Sequence, residues 1–306
     1  MFLAYASQHG HVLLNRALYL PQDWTNDRVR CQQAGVPDQI PFATKPELAR
    51  QLLEQAIRDQ VPFKWVTGDS IYGGDRRLRL WLEDQAMPFV LAIAKDEALW
   101  SEFKQQRADQ RLAAVSAEAW QCLSCGDGAK GPRLYDWVLV RLPRLMQSDR
   151  IQHALLVRRS LSDGKLAYYV VFAPADTTLQ TLVNVAGQRW KVEECFELAK
   201  DEVGLDQYEV RHWVGWYRHI TLAMWALAYL SVTKYQVRQA AIEKKGSPGL
   251  DDLLPLTVCE IRRLLWRLLW KFTPLPDFVL TWSRWHRRHQ LRAQRAHYRR
   301  RLSLSP

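Results

Sequence analysis

The chain has 306 residues, of which 48% are hydrophobic, and a formal net charge of +11. That length fits one large or two modest domains with a buried core, while the longest uncharged apolar run, 220–232, is too short to cross a bilayer as a helix. No basic, apolar, small-residue leader marks a secretory signal, and five cysteines without regular spacing argue against a disulfide framework.

The chain opens on β-structure. "MFLAYAS" and "HVLLNRALYL" are apolar runs joined by the short link "QHG", which predicts a β-hairpin. Residues 21–43 read as loop, being rich in Pro, Asp, Asn and Gln. At Thr44 the string T-K-P-E makes a capping box with proline just inside, so a helix is expected through "ELARQLLEQAIRDQ". "VPFKWVTGD" is a β-rich run ending at Gly68 and Asp69; a helix over "DRRLRLWLEDQ" and a strand over "MPFVLAIA" follow. After a polar helical piece come the strand candidates "RLYDWVLVRL", "IQHALLVRRS" and "KLAYYVVFA", which predict a β-rich insertion over 97–175.

Helical periodicity returns after Pro174. Thr177 and Gln180 make a second candidate capping box for a helix of about 178–203, with Gly204 as its stop. Gly187 inside that helix costs about 1 kcal/mol against alanine, so close packing is expected there. Further helices are predicted over about 211–241, 257–272 and 278–301. The class is α/β. The expected division is 1–96 and 176–242 as two parts of one core, 97–175 as the insertion, and 243–306 as a C-terminal helical region with an arginine-rich tail.

Two features carry the chemistry. Asp69 stands at the C-terminal end of a strand, where open α/β sheets bind ligands. In "QRWKVEECFELAK", residues 188–200, helical geometry puts Arg189, Glu193 and Lys200 at about 0°, 40° and 20°, one stripe of base, acid, base. Taken alone, such a stripe is a solvated face with i,i+4 ion pairs. Taken with Asp69, a strand-end acid and a helix acid can share Mg²⁺ or Mn²⁺, and Arg189 and Lys200 suit nearby phosphate oxygens. Cys122-x-x-Cys125 has no second pair of thiols at zinc spacing. No P-loop or nucleophile elbow occurs. The excess charge is concentrated between Arg284 and Arg301, which hold eight arginines and no acid. Arg287, Arg288, Arg292 and Arg295 are candidate phosphate contacts within that tail.

On these residues the chain resembles bacterial insertion-sequence transposases of the DDE type, whose catalytic domain has the RNase H-like fold. One branch of that superfamily carries Y-x2-R-x3-E-x6-K on its last catalytic helix, and Arg189, Glu193 and Lys200 match its R, E and K. The tyrosine position, 186, is Ala. "WVTGDSIYGGDRRLRLWLE" resembles the segment bearing the second aspartate, which maps to Asp69, and the likeness extends over about residues 1–235. It implies metal-dependent phosphoryl transfer at transposon ends, with Asp69 and Glu193 as catalytic metal ligands and Mg²⁺ or Mn²⁺ as cofactor. It also implies double-stranded DNA as partner, a homodimer as an option, no membrane, and a cytoplasmic, nucleoid-associated location.

The chain departs from the pattern at its start. Its hairpin corresponds to strands two and three of the fold, so the central strand with the first aspartate is missing, and Asp23 and Asp27 are misplaced to substitute. The expectation is an N-terminally truncated transposase, poorly soluble and inactive in cleavage. The alternatives are a catalytically inactive DNA-binding remnant acting through its basic surfaces, and an unrelated α/β protein with a charged surface helix.

Overall fold

A computed structural model describes residues 1–102, 104–128, 131–143, 149–243, 256–269 and 275–303. The chain divides into two compact units, one of residues 1–26 and 40–195, the other of residues 27–39 and 196–306.

The first unit begins with the expected hairpin, β1 (Phe2–Ser7) and β2 (Gly10–Arg16), paired antiparallel. Residues 21–43, expected as loop, hold two short helices, α1 (Gln22–Asn26) and α2 (Arg28–Gln33). Asp27 caps α2 by accepting from the Arg30 amide at 2.9 Å, and α2 belongs to the second unit. The chain returns with α3 (Lys45–Arg58), whose capping box is as predicted: Thr44 Oγ1 accepts from the Glu47 amide, and Glu47 Oε2 accepts from the Thr44 amide at 2.7 Å. Thr44→Ala is therefore expected to cost about 1 kcal/mol, measurable as a lower urea midpoint at an unchanged m-value.

Then come β3 (Val66–Gly68), the single turn α4 (Ser70–Gly73), α5 (Arg76–Asp84) and β4 (Phe89–Ile93). The predicted polar helix after β4 is instead a small hairpin, β5 (Ala98–Ser101) and β6 (Lys104–Arg107), followed by the short α6 (Ala108–Leu112). The predicted strands appear as β8 (Gly131–Arg141), β9 (Ile151–Arg159) and β10 (Leu166–Pro174), preceded by β7 (Gln121–Gly128), which the sequence did not announce. They do not form a sheet of their own. The order is β3-β4-β10-β9-β8-β7, so β7 to β10 extend the sheet that carries Asp69, while β5 and β6 pair only with each other. β3 and β4 are parallel, and the other pairs are antiparallel.

Period-2 alternation explains why the middle strands are apolar throughout. Phe89, Leu91, Leu155, Val157, Val170 and Phe172 pack on one face with Leu53 of α3 and Leu78 and Leu82 of α5. Val90, Leu156, Tyr169 and Val171 face the other way, toward Leu182, Val183 and Ala186 of α7 (Leu179–Gln188). Strands covered on both faces read as continuous apolar runs. The result is a curled mixed sheet between helices, compatible with an RNase H-like fold. Among the described residues β1 pairs only with β2 and β3 only with β4, and the hairpin stays a separate sheet. It is tied down by Tyr5, whose hydroxyl donates to the Pro62 carbonyl at 2.8 Å, and by Asn15, which donates to Gln55 of α3 at 2.9 Å.

The long helix expected over 178–203 is two. α7 is capped by Thr178, one residue later than predicted, because Gln180 is engaged elsewhere: its amide donates to the Ser124 carbonyl of β7 at 3.0 Å. Around Arg189 and Trp190 the backbone bonds shorten to i→i−3, which separates α7 from α8 (Lys191–Val203). α8 stops just before Gly204, as predicted.

The second unit consists of α2, the end of α8, and three helices near their expected bounds: α9 (Trp213–Glu243), α10 (Val258–Leu269) and α11 (Pro276–Ser303). The Trp213 amide donates to the Ala34 carbonyl at 2.8 Å, Arg262 of α10 pairs with Glu202, and His289 of α11 lies 3.1 Å from Glu209. Among the described residues no helix is long and apolar enough to cross a membrane.

Candidate active site

Because β3 and β4 run parallel, both deliver their C-terminal ends to the same edge of the sheet. Asp69 follows directly on β3. It caps α4, with Oδ1 accepting from the Ile71 amide at 2.9 Å, so Oδ2 remains for another partner. The carboxylate is solvent-exposed. Its charge reaches Tyr72, whose phenol is pushed up first by burial and then by Asp69.

An open cleft of about 630 Å³ lies at this edge, lined by Asp69, Ser70, Lys95, Arg158, Tyr169 and Arg189 among others. Each basic residue reaches it from a different element. Lys95 follows the end of β4, Arg158 comes from the end of β9, and Arg189 from the turn between α7 and α8. The Arg158 guanidinium is held over the Tyr135 ring, 4.5 Å from its centre, a placement worth about 0.5–2 kcal/mol. Its neighbour Arg159 is spoken for by Asp136 at 2.8 Å and by the Trp120 ring. Among the described residues no acid forms an ion pair with Lys95 or Arg158. Arg189 donates to Glu193 Oε1 at 2.9 Å. The cleft lining thus has three cations and one carboxylate, a surplus that favours a polyanion.

The structure brings Asp69 and Arg189 to one cleft; Glu193 does not line it and is bonded to Arg189. This is also the i,i+4 ion pair that the charged stretch forms on its own account. Next to it, His11 of the hairpin lies 3.7 Å from Glu194, so β2 approaches the start of α8. Lys200 is exposed in the last turn of α8 and belongs to the second unit, as do Arg287, Arg288, Arg292 and Arg295, all exposed on α11. Lys95 and Arg158 were not singled out in the sequence. The strand-end argument that selects Asp69 would have selected Lys95 as well, since it follows "FVLAIA" by the same logic. Arg158 had no such signal, because only the order of β9, β10 and β4 brings it there.

Cys122 is exposed and Cys125 buried on β7, so the two thiols do not converge. Burial pushes the Cys125 thiol up and the Cys195 thiol to about 12, which leaves both inert. Among the described residues no three His, Cys, Asp or Glu side chains gather as a ready metal site.

Residues 1–116 match the family model of the DDE superfamily endonucleases. The matched segment is the first 116 of the 306 residues, and it is similar to that superfamily. It contains the hairpin, β3, β4, Asp69 and Lys95, while Arg158, Arg189 and Glu193 lie outside it. No curated protein matches the chain. DDE endonucleases generally use divalent metals. The donor chemistry fits such an ion: Asp69 and Glu193 each keep one carboxylate oxygen uncommitted to the bonds described above, and Mg²⁺ accepts one or two carboxylates when waters and substrate phosphates complete its shell.

Proposed function

We propose that this chain is a DDE-type transposase of an insertion sequence that acts on the phosphodiesters of transposon-end DNA. One observation carries the reading: the segment matching the DDE endonucleases ends its β3 strand in Asp69, at the mouth of a cleft lined with Lys95, Arg158 and Arg189. In this reading Asp69 and Glu193 would hold Mg²⁺ or Mn²⁺, which would supply Lewis-acid chemistry at the phosphodiester. Arg189 keeps N–H donors beyond the one given to Glu193 and presents them to a backbone phosphate. Lys95 and Arg158 neutralise flanking phosphates. Lys200 and Arg287, Arg288, Arg292 and Arg295 add contacts farther along the DNA. Residues 97–175 serve as an elaboration of the catalytic sheet and residues 243–306 as a DNA-binding extension.

A second reading, DNA binding without cleavage, is favoured by the lining of three cations around one acid and by the lack of a three-acid cluster among the described residues. Plasmid nicking separates the two. Against the inactivity expected from the missing first aspartate, the first reading requires Mg²⁺- or Mn²⁺-dependent nicking of supercoiled plasmid that Asp69→Asn and Glu193→Gln both abolish while DNA retention on a filter persists. Retention without nicking in either metal leaves the binding reading. Neither retention nor nicking would sink both.

A further inference from the structure

Tyr169 of β10 lines the cleft and yet is almost wholly buried, with 4% of its surface exposed. A tyrosine hydroxyl taken out of water ordinarily finds a hydrogen-bond partner. Among the described residues this one has none. The strand register shows where it stands. Tyr169 pairs with Ala92 of β4, and Ala92 follows the residue that pairs with Gly68 of β3. Asp69, Ala92 and Tyr169 therefore form one row across the strand ends, about 10 Å from first to last at two strand spacings.

A chain of ring contacts fixes the phenol and ties it to a cation. The Tyr169 and Trp137 rings lie 6.1 Å apart, Trp137 meets Tyr135 edge-on at 6.3 Å, and the Arg158 guanidinium covers Tyr135 at 4.5 Å. Burial pushes the Tyr169 phenol up, while the Arg158 and Arg189 charges pull it back in part. Both guanidinium groups thus lie close enough to act on it. The net direction is upward, so the group remains an O–H donor at neutral pH. Acceptors are scarce around it: the Trp137 indole N–H and the Arg158 Nε–H are also buried without partners.

We propose that Tyr169 is a substrate-binding residue of the cleft, its O–H donating to a non-bridging oxygen of the phosphate that Arg158 and Arg189 neutralise. The inference rests on the reading of the cleft as a phosphodiester site and adds to it an uncharged, oriented donor. A phosphate brings acceptor oxygens and no donor, which is what this donor-rich corner lacks. The two kinds of group divide the work. Guanidinium charges attract an anion from any side, whereas a phenol fixed against Trp137 donates from a fixed position and so sets how the phosphate lies. The row that Tyr169 shares with Asp69 places that phosphate between the phenol and the strand-end acid.

Tyr169→Phe keeps the ring and removes only the oxygen. Fluorescence anisotropy of the full chain with a duplex is expected to show about tenfold weaker binding at every salt concentration. The slope of log K against log[salt] should stay unchanged, because a neutral donor displaces no counterion. Arg158→Gln, by contrast, should weaken binding and flatten that slope by about 0.9. No effect of Arg158→Gln would sink the reading of the cleft and this proposal with it. A loss in Arg158→Gln beside an unchanged affinity in Tyr169→Phe would overturn the proposal alone. So would a flattened slope in Tyr169→Phe, since it would mean that the ring only props the arginines. If Tyr169→Phe fails to fold, a fluorotyrosine placed at position 169 of the otherwise native chain decides. Its fluorine resonance should shift with inorganic phosphate and not with chloride at equal ionic strength; no shift under phosphate overturns the proposal.

Discussion

Alanine at Gly73 or Gly187 is expected to destabilise the protein by about 3 kcal/mol, lowering Tm by about 6–12 °C. The reason is two backbone contacts with no room for a methyl group. A Cβ at Gly73 would stand 1.8 Å from the Ala92 carbonyl oxygen, and one at Gly187 would stand 2.0 Å from that of Cys125. Neither neighbour is a flexible side chain that could swing away. Gly73 lets α4 lie on β4, and Gly187 lets α7 lie on β7, so in each case a whole element must move. Total stability is only about 5–15 kcal/mol, so the loss is large in proportion. Gly73→Ala carries a second consequence, because α4 holds Asp69 as its cap. Thermal melts monitored by circular dichroism measure the first effect. A Tm within about 2 °C of the parent for both variants would show that these helices do not sit so close to the sheet.

Replacing Arg284, Arg288, Arg292, Arg295 and Arg299 together with serine is expected to flatten the salt dependence of DNA binding by about 4.5 units of log K against log[salt]. On α11 these five fall at about 0°, 40°, 80°, 20° and 60°, a single stripe about 22 Å long. All five side chains are exposed. Arg287 lies about 60° to one side. A duplex laid along the stripe could meet all five, releasing about 0.9 counterion per phosphate neutralised. Between 50 and 200 mM salt, five such contacts account for about a 500-fold change in affinity. The replacement should therefore matter most at low salt and little at high salt. Fluorescence anisotropy with an arbitrary duplex suffices, since phosphate contacts carry no sequence information. A slope altered by less than about one unit would mean that the stripe is a solvated face and that DNA is held at the cleft instead.

Local chemistry made much of this legible in the residues themselves. Thr44 and Glu47 specify a helix start because both bonds of the box close within four residues. The "QHG" link specifies the hairpin, and Gly68-Asp69 marks a strand end, each through interactions spanning only a few positions. The same holds for the bounds of α9 and α11 and the start of α10, where periodicity and length suffice; the predicted end of α10 at 272 lies outside the described residues. The Arg189–Glu193 pair was legible as well, being one helical turn apart.

What was not legible depended on partners distant in the chain. The small β5–β6 hairpin read as a polar helix, because four-residue strands carry too little periodicity to announce themselves. Sequence spacing does not tell which strand lies beside which, so the order β4-β10-β9-β8-β7, which joins four strands of residues 97–175 to the sheet of Asp69, was not legible. That same order is the only reason Arg158 stands across from Asp69. Gly187 could be flagged as costly from sequence, but not assigned the Cys125 carbonyl as its neighbour, 62 positions away. The break between α7 and α8 follows from backbone bonding around Trp190, where composition would have continued the helix. The residues of α9 predicted a helix but not its buried side. Only packing decided which side that would be, since a helix of uniform hydropathy carries no preference of its own and takes its inside from whatever lies against it.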